Sequence, residues 1–158
     1  MMPPLFVFPD PKPGGYNPLT GSTEGSDIAY TKKGWMNALT FSKFIDHFDK
    51  HAGTERPVTL LFDSVSSHID ISVFTIAKLK EIELHRIDPN ATQLMQPLDK
   101  AEKTQGEAQI ENTSQKKLTE AFLLFYKPPT VINAFKSSGI YPVDSSAISS
   151  EALKPALL

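Results

Sequence analysis

The chain has 158 residues, 40% of them hydrophobic, which is enough for one domain with an apolar core and excludes a compositionally disordered chain. It contains no cysteine, which excludes disulfide bonds and thiolate metal sites and fits a reducing, intracellular compartment. The formal net charge of −2 excludes DNA binding by bulk positive charge, and no apolar run reaches the roughly 20 residues of a membrane span, so we expect no membrane partner.

The first third of the chain combines a predicted strand, a loop and a single tryptophan. Residues 5–8 form a short apolar run after two prolines, which predicts an edge strand. Residues 10–33 are rich in Pro, Gly, Ser and Thr without a hydrophobic period, which predicts a long loop. Trp35 is either an aromatic contact to nucleic acid or a core anchor for the following helix, and we expect the core anchor.

Residues 40–51 have the clearest helical period in the chain. The apolar stripe at spacings of three and four consists of Phe41, Phe44, Ile45 and Phe48. Thr40 is the predicted N-cap, and Gly53 is the predicted stop. His47 and His51 have the spacing of a metal pair on a helix, but no third ligand is suggested nearby, so we expect both to be solvent-exposed.

The central element is the apolar run Val58–Phe62, which follows a proline and ends at a carboxylate. It predicts a strand buried on both faces, of the kind found in parallel sheets. Asp63 then lies at the C-terminal edge of that strand, where open α/β sheets place their ligands. Asp63 either takes part in chemistry there or only caps the next turn, which contains the polar residues Ser67 and His68.

A helix over residues 72–83 and a strand over residues 84–87 are predicted next. Val73, Ile76, Ala77 and Lys80 share one face of this helix. The order strand, helix, strand implies a parallel crossover. Residues 94–99 then return to the C-terminal edge of the sheet, and we expect the Asp99 carboxylate to lie within about 8 Å of the Asp63 carboxylate, close enough to share a metal site.

The last third alternates polar and helical segments. Residues 100–114 are polar without an apolar period, and residues 115–127 have the period of a helix. Two prolines break that helix, and a short helix over residues 130–138 ends at Gly139. Residues 140–142 are predicted to form a packed turn, and residues 144–158 a frayed tail.

Five motifs in order resemble DDE-type transposases of the pogo, Tigger and jerky group. The stretches that carry the resemblance are Pro3-Pro-Leu-Phe-Val-Phe8, Gly34-Trp-Met36, Asp63-Ser-Val-Ser-Ser-His68, Pro89-Asn-Ala-Thr-Gln-Leu-Met-Gln-Pro-Leu-Asp99 and Ala134-Phe-Lys-Ser-Ser-Gly-Ile-Tyr-Pro142. Residues 100–114 depart from the family pattern, which has a long apolar helix after the position of Asp99.

The resemblance implies an α/β, RNase-H-like fold, a mixed sheet flanked by helices, over residues 1–143. It implies that Asp63 and Asp99 are the second and third catalytic, metal-binding carboxylates, with Mg²⁺ or Mn²⁺ as cofactor. Ser67 and His68 would orient a carboxylate or a phosphate rather than bind metal directly. In the family the first carboxylate and the first strands lie upstream of Pro3, so we expect a partial fold with those strands missing, weak metal and nucleic-acid binding, and no DNA cleavage by the chain alone.

Three interpretations of the function stay open at this point. The first is a truncated or decayed transposase domain that associates with DNA in the nucleus. The second is a non-catalytic module that binds proteins or associates with DNA, and that self-associates when another chain completes the N-terminal edge strand. The third is a fragment of a longer, active endonuclease.

Overall fold

A computed structural model of the chain describes residues 2–10, 14, 17–63, 70–88, 92–98, 100, 123 and 127–153. The chain packs as two compact units. The first unit contains Met1–Leu60 and Val65–His85, and the second contains Leu61–Ser64 and Arg86–Leu158. The architecture is mixed α/β with short two-stranded sheets, which agrees with the predicted fold class at this level, whereas its RNase-H-like character stays a prediction.

The first sheet pairs β1 (Leu5–Pro9) with β2 (Asp27–Thr31) in parallel. Leu5 lies opposite Asp27, and Pro9 lies opposite Thr31. The predicted strand at residues 5–8 is therefore confirmed, but the prediction of a long loop over residues 10–33 is wrong for residues 27–31, which form β2. The five residues of β2 are stabilised by pairing with a distant strand, which local periodicity does not register.

Helix α1 (Ala38–His51) follows this sheet and carries the predicted apolar stripe. Phe41 and Ile45 are buried, and the ring centroids of successive stripe phenylalanines lie 5.8 and 6.2 Å apart. The N-cap is Asn37 rather than Thr40, because the Asn37 Oδ1 accepts a hydrogen bond from the Thr40 N–H at 2.9 Å. Gly53, with a φ of 81°, follows the last turn as predicted.

The second sheet pairs β3 (Val58–Phe62) with β4 (Ile82–Arg86), and α2 (Ile71–Leu79) lies between them in sequence. The Val58 N–H donates to the Glu81 carbonyl at 3.1 Å, and the Ile87 N–H donates to the Phe62 carbonyl at 2.9 Å. From the first of these bonds to the second, the residue numbers rise along both strands, so the strands are parallel, as predicted. The prediction that β3 is buried on both faces is wrong, since Thr59 is exposed and the rest is half-buried.

Helix α2 is shorter than predicted but buries the predicted face. Val73 and Ala77 are fully buried, and α2 packs on α1. The helix ends at Leu79 rather than at residue 83, because Glu81 takes a left-handed conformation with a φ of 53° and the chain then enters β4. Consequently β4 begins at Ile82, two residues before the predicted strand.

The described part of the second unit includes helices α3 (Thr92–Met95), α4 (Pro128–Ser137) and α5 (Ser150–Leu153). Helix α4 begins at Pro128 rather than at residue 130, since proline is tolerated in the first turn of a helix. Gly139, with a φ of 69°, ends it as predicted, and the Asp144 N–H donates back to the Gly139 carbonyl at 3.0 Å.

Two predictions for the C-terminal segment differ from the structure. Residues 140–142 form a turn, but Tyr141 is 75% exposed rather than packed. Residues 144–153 form hydrogen-bonded turns and α5 rather than a frayed tail, whereas residues 154–158 lie outside the described part. The predictions for residues 100–114 and 115–127 also lie outside it, apart from Lys100, Leu123 and Lys127. No helix of the described part is long and apolar enough to cross a membrane.

Candidate active site

Asp63 directly follows the last residue of β3, at the C-terminal end of a parallel strand. It is half-buried. The preceding residue, Phe62, accepts the hydrogen bond from the Ile87 N–H at 2.9 Å, which fixes the strand end next to the carboxylate. The predicted location of Asp63 is therefore found in the structure, and its role in catalysis stays a prediction. A carboxylate at this end of a strand has the donor chemistry that Mg²⁺ or Mn²⁺ requires.

The other predicted site residues, Ser67, His68 and Asp99, lie outside the described part of the chain. The predicted 8 Å separation of the Asp63 and Asp99 carboxylates is thus still a prediction. Both neighbours of position 99 are described. Leu98 is exposed, and the Lys100 ammonium donates to the Ser137 carbonyl at the C-terminal end of α4 at 3.3 Å.

The described residues do not include a group of three or more His, Asp or Glu side chains able to hold a metal ion. The described residues include Asp63 but not Asp99. The metal site implied by the resemblance is consequently a proposal, and it depends on bringing these two carboxylates together.

His47 and His51 are structural residues rather than the solvent-exposed pair that the helical spacing predicts. His47 is only 5% exposed, and its Nε2 lies 2.7 Å from the carbonyl oxygen of Pro3. Because a carbonyl only accepts, this nitrogen donates. The His51 Nδ1 likewise donates to the His47 carbonyl at 2.8 Å. The prediction failed because Pro3 is remote in sequence, and a helical spacing does not show such a partner.

Trp35 is 76% exposed, so the prediction that it anchors the core is wrong. It lies in the segment between β2 and α1, and two exposed lysines, Lys32 and Lys33, precede it in this segment. We call these three residues the Lys-Trp corner. The aromatic contact to nucleic acid, which was the alternative interpretation, is the one that this exposure favours.

A comparison with protein families decides the affiliation of the chain. The model of the DDE superfamily endonucleases matches residues 2–138, which include β1, Asp63, the position of Asp99 and all of α4. The chain belongs to the DDE superfamily endonucleases. No curated protein and no solved structure matches it. The family-level resemblance is confirmed, and assignment to the pogo, Tigger and jerky group stays a prediction.

This DDE endonuclease chain has an open cavity of about 430 Å³ in its first unit. The cavity is lined mainly by α2 and β4, including Phe74, Ala77 and Ile82, and by Pro57, the residue before β3. Asp63 is not among the lining residues. The cavity therefore adds no group to the predicted site.

Among the residues that the structure describes in the DDE endonuclease chain, a charged cluster joins α1, α2 and the segment just before β3. Asp49 accepts from the Lys80 ammonium at 2.9 Å and from the Arg56 guanidinium at 2.8 Å, and Lys80 also contacts Asp46 at 3.2 Å. Hydrogen bonds donated by Lys80 and then by Arg56 lower the pKa of Asp49, and the bonds that Lys80 donates to Asp49 and Asp46 raise the pKa of Lys80. Since every charge has an opposite partner, we assign the cluster to packing rather than catalysis.

A smaller pair joins α1 to β2. The Lys43 ammonium donates to the Asp27 carboxylate at 3.0 Å and also to the Ile28 carbonyl. Burial acts to raise the pKa of Asp27, but the Ile28 N–H and the Lys43 ammonium outweigh it, so the pKa is lowered. The pair ties α1 to the start of β2, and it leaves the Lys43 ammonium paired within the chain.

Proposed function

We propose that the chain is a transposase-derived nuclease domain of the pogo, Tigger and jerky type, whose chemistry is divalent-metal-dependent cleavage and transfer of DNA strands. The observation that carries the proposal is the position of Asp63, directly after a parallel strand and inside the family match. DNA as the partner and the nucleus as the location belong to the same proposal.

Asp63 and Asp99 are the residues that would hold Mg²⁺ or Mn²⁺ in this proposal. When bound, such ions activate the attacking water or 3′-hydroxyl and stabilise the leaving oxygen. Two neighbouring carboxylates repel each other without a cation. The contribution of the chain is therefore to hold the two carboxylates close together for the ion. Ser67 and His68 orient a carboxylate or a DNA phosphate beside them.

The test is Mn²⁺ affinity, measured by electron paramagnetic resonance of free Mn²⁺, for the wild-type chain and Asp63→Asn. Replacing a metal ligand by a neutral amide should weaken Mn²⁺ binding at least about tenfold. Even the loss of a residue that only hydrogen-bonds to a metal ligand typically weakens metal binding by about this factor. The matched control is Glu55→Gln, which neutralises an exposed carboxylate just before the other end of β3. Equal affinities of Asp63→Asn and Glu55→Gln would contradict the proposal.

A second candidate function is self-association through β1. In the described part of the chain, β2 is the only strand that pairs with β1, so the other edge of β1 is available for a strand of another chain. We expect light scattering to show a dimer that Phe6→Lys converts to a monomer. A matched change on the other sheet, Thr59→Lys, should leave the dimer intact, and a monomeric wild-type chain would exclude this function.

A further inference from the structure

We propose that the Lys-Trp corner binds unpaired nucleotides of a DNA strand. Trp35 would stack on a base, and Lys32 and Lys33 would contact the adjacent phosphates. The proposal rests on the DNA-directed function above and extends it to a contact site separate from Asp63 and Asp99.

The backbone at Trp35 is fixed, although the side chain is exposed. The Trp35 carbonyl accepts from the Thr31 hydroxyl at 2.9 Å, and the Gly34 N–H donates to the Thr31 carbonyl at 3.2 Å. Gly34 has a φ of 72°, and a Cβ at this position would lie 3.0 Å from Pro9. The backbone that carries Trp35 is thus held in one conformation, so binding through the ring costs less backbone conformational entropy.

The exposure of Trp35 is unusual for an indole ring, because removing such a ring from water lowers the free energy substantially. Thr40 and Phe41, only a few residues further along, are buried, so the core lies within reach of this segment. Leu39, in the first turn of α1, is also 82% exposed, so a second apolar side chain of this segment lies in water. A ring left in water on a fixed turn is available to a ligand.

The charge of the corner indicates a polyanion. Neither Lys32 nor Lys33 forms an ion pair with any residue that the structure describes, whereas Lys43 and Lys80 are both engaged. The first turn of α1 contains no acidic residue. Two such cations two and three residues before an exposed aromatic ring are the combination that binds single strands, by phosphate neutralisation and base stacking.

Unpaired rather than duplex DNA follows from the geometry of stacking. In a duplex both faces of each internal base are covered by neighbouring bases, so an indole ring reaches only unpaired or terminal bases. A protein partner would not account for the two lysines, because lysine is depleted in protein–protein interfaces.

Trp35 is the only tryptophan, so its fluorescence reports on this corner alone. We expect a 12-nucleotide oligothymidylate to quench the emission of the full chain at low salt. In anisotropy titrations with the labelled oligonucleotide, Trp35→Ala should weaken binding about five- to hundredfold and Trp35→Phe much less. Circular dichroism of both variants should match the wild-type spectrum, since the ring is exposed.

The salt dependence of oligonucleotide affinity tests whether Lys32 and Lys33 contact phosphates. Lys32→Gln combined with Lys33→Gln should reduce the slope of log affinity against log salt by about 1.4, which is about 0.7 for each phosphate that the variant no longer neutralises. Lys50→Gln, at the exposed far end of α1, should leave the slope unchanged.

Three results would overturn the proposal: unquenched fluorescence, equal binding by Trp35→Ala and the wild type, or a Trp35 emission that shifts with protein concentration rather than with DNA. The last result would assign the corner to self-association. Asp63→Asn must retain the quenching, so a failed metal site and a failed stacking site give different patterns.

Discussion

At the scale of single residues, His47 shows how a side chain acts far from its place in sequence. Its ring is buried and donates from Nε2 to the Pro3 carbonyl, which ties the segment before β1 to the second half of α1. This contact holds Pro3, two residues before β1, at α1, and α1 in turn packs against β2, the strand that pairs with β1. We therefore assign the buried imidazole to the connection between α1 and the segment before β1 rather than to catalysis.

We predict that His47→Ala lowers the free energy of unfolding by about 1–3 kcal/mol, because it removes a buried imidazole and leaves the half-buried Pro3 carbonyl without its donor. Urea denaturation followed by circular dichroism measures this loss. The control is His85→Ala, which removes an exposed imidazole on β4 and should change the stability by less than about 0.5 kcal/mol. Equal effects of the two substitutions would contradict the role given to His47.

At the scale of elements, α1 and α2 are joined by apolar packing on one side and by the Asp49 cluster at their ends. The two helices pack on each other, and Val73 and Ala77 of α2 are fully buried. Lys80, the C-cap residue of α2, reaches back to two carboxylates of α1. The cluster therefore determines where α2 ends relative to α1, and it also holds Arg56 just before β3.

The Asp49 cluster predicts a pH dependence of stability. Lys80 and then Arg56 lower the pKa of Asp49 from its ordinary value of 3.8, so the folded chain binds this proton less readily than the unfolded chain. The stabilisation is complete above that value and is lost as the pH falls through the folded pKa. We expect Asp49→Asn to lower the stability by about 1 kcal/mol or less at pH 7, and the difference from the wild type to shrink below about pH 4.

Thermal unfolding of both proteins between pH 3 and pH 7 measures this convergence. Glu55→Gln serves as the matched carboxylate control and should follow the wild-type curve at every pH. A constant offset between Asp49→Asn and the wild type down to pH 3 would show that the substitution acts through packing rather than charge.

At the scale of the whole molecule, the sequence predicted the elements that local patterns specify. The stripe of α1, the apolar run of β3 and the glycine after α4 each depend on a few neighbouring residues, and all were found. The family followed from five ordered motifs, and the match over residues 2–138 confirmed it.

The features that the sequence did not predict depend on contacts between distant residues. Strand β2 exists because it pairs with β1, across a segment rich in turn residues. His47 is buried by its bond to Pro3, which lies 44 positions earlier in the sequence. Trp35 was expected in the core because large aromatic side chains are usually buried, whereas here the turn after β2 directs it into solvent.

The central claim is that Asp63 and Asp99 hold a common divalent ion, and a double-mutant cycle on Mn²⁺ affinity tests it most directly. Asp63→Asn, Asp99→Asn and the double variant are each titrated with Mn²⁺ beside the Glu55→Gln control. If the two carboxylates share one ion, each single change removes most of the binding and the double change adds little further loss. Independent, additive losses, or no loss from either single change, would contradict the account.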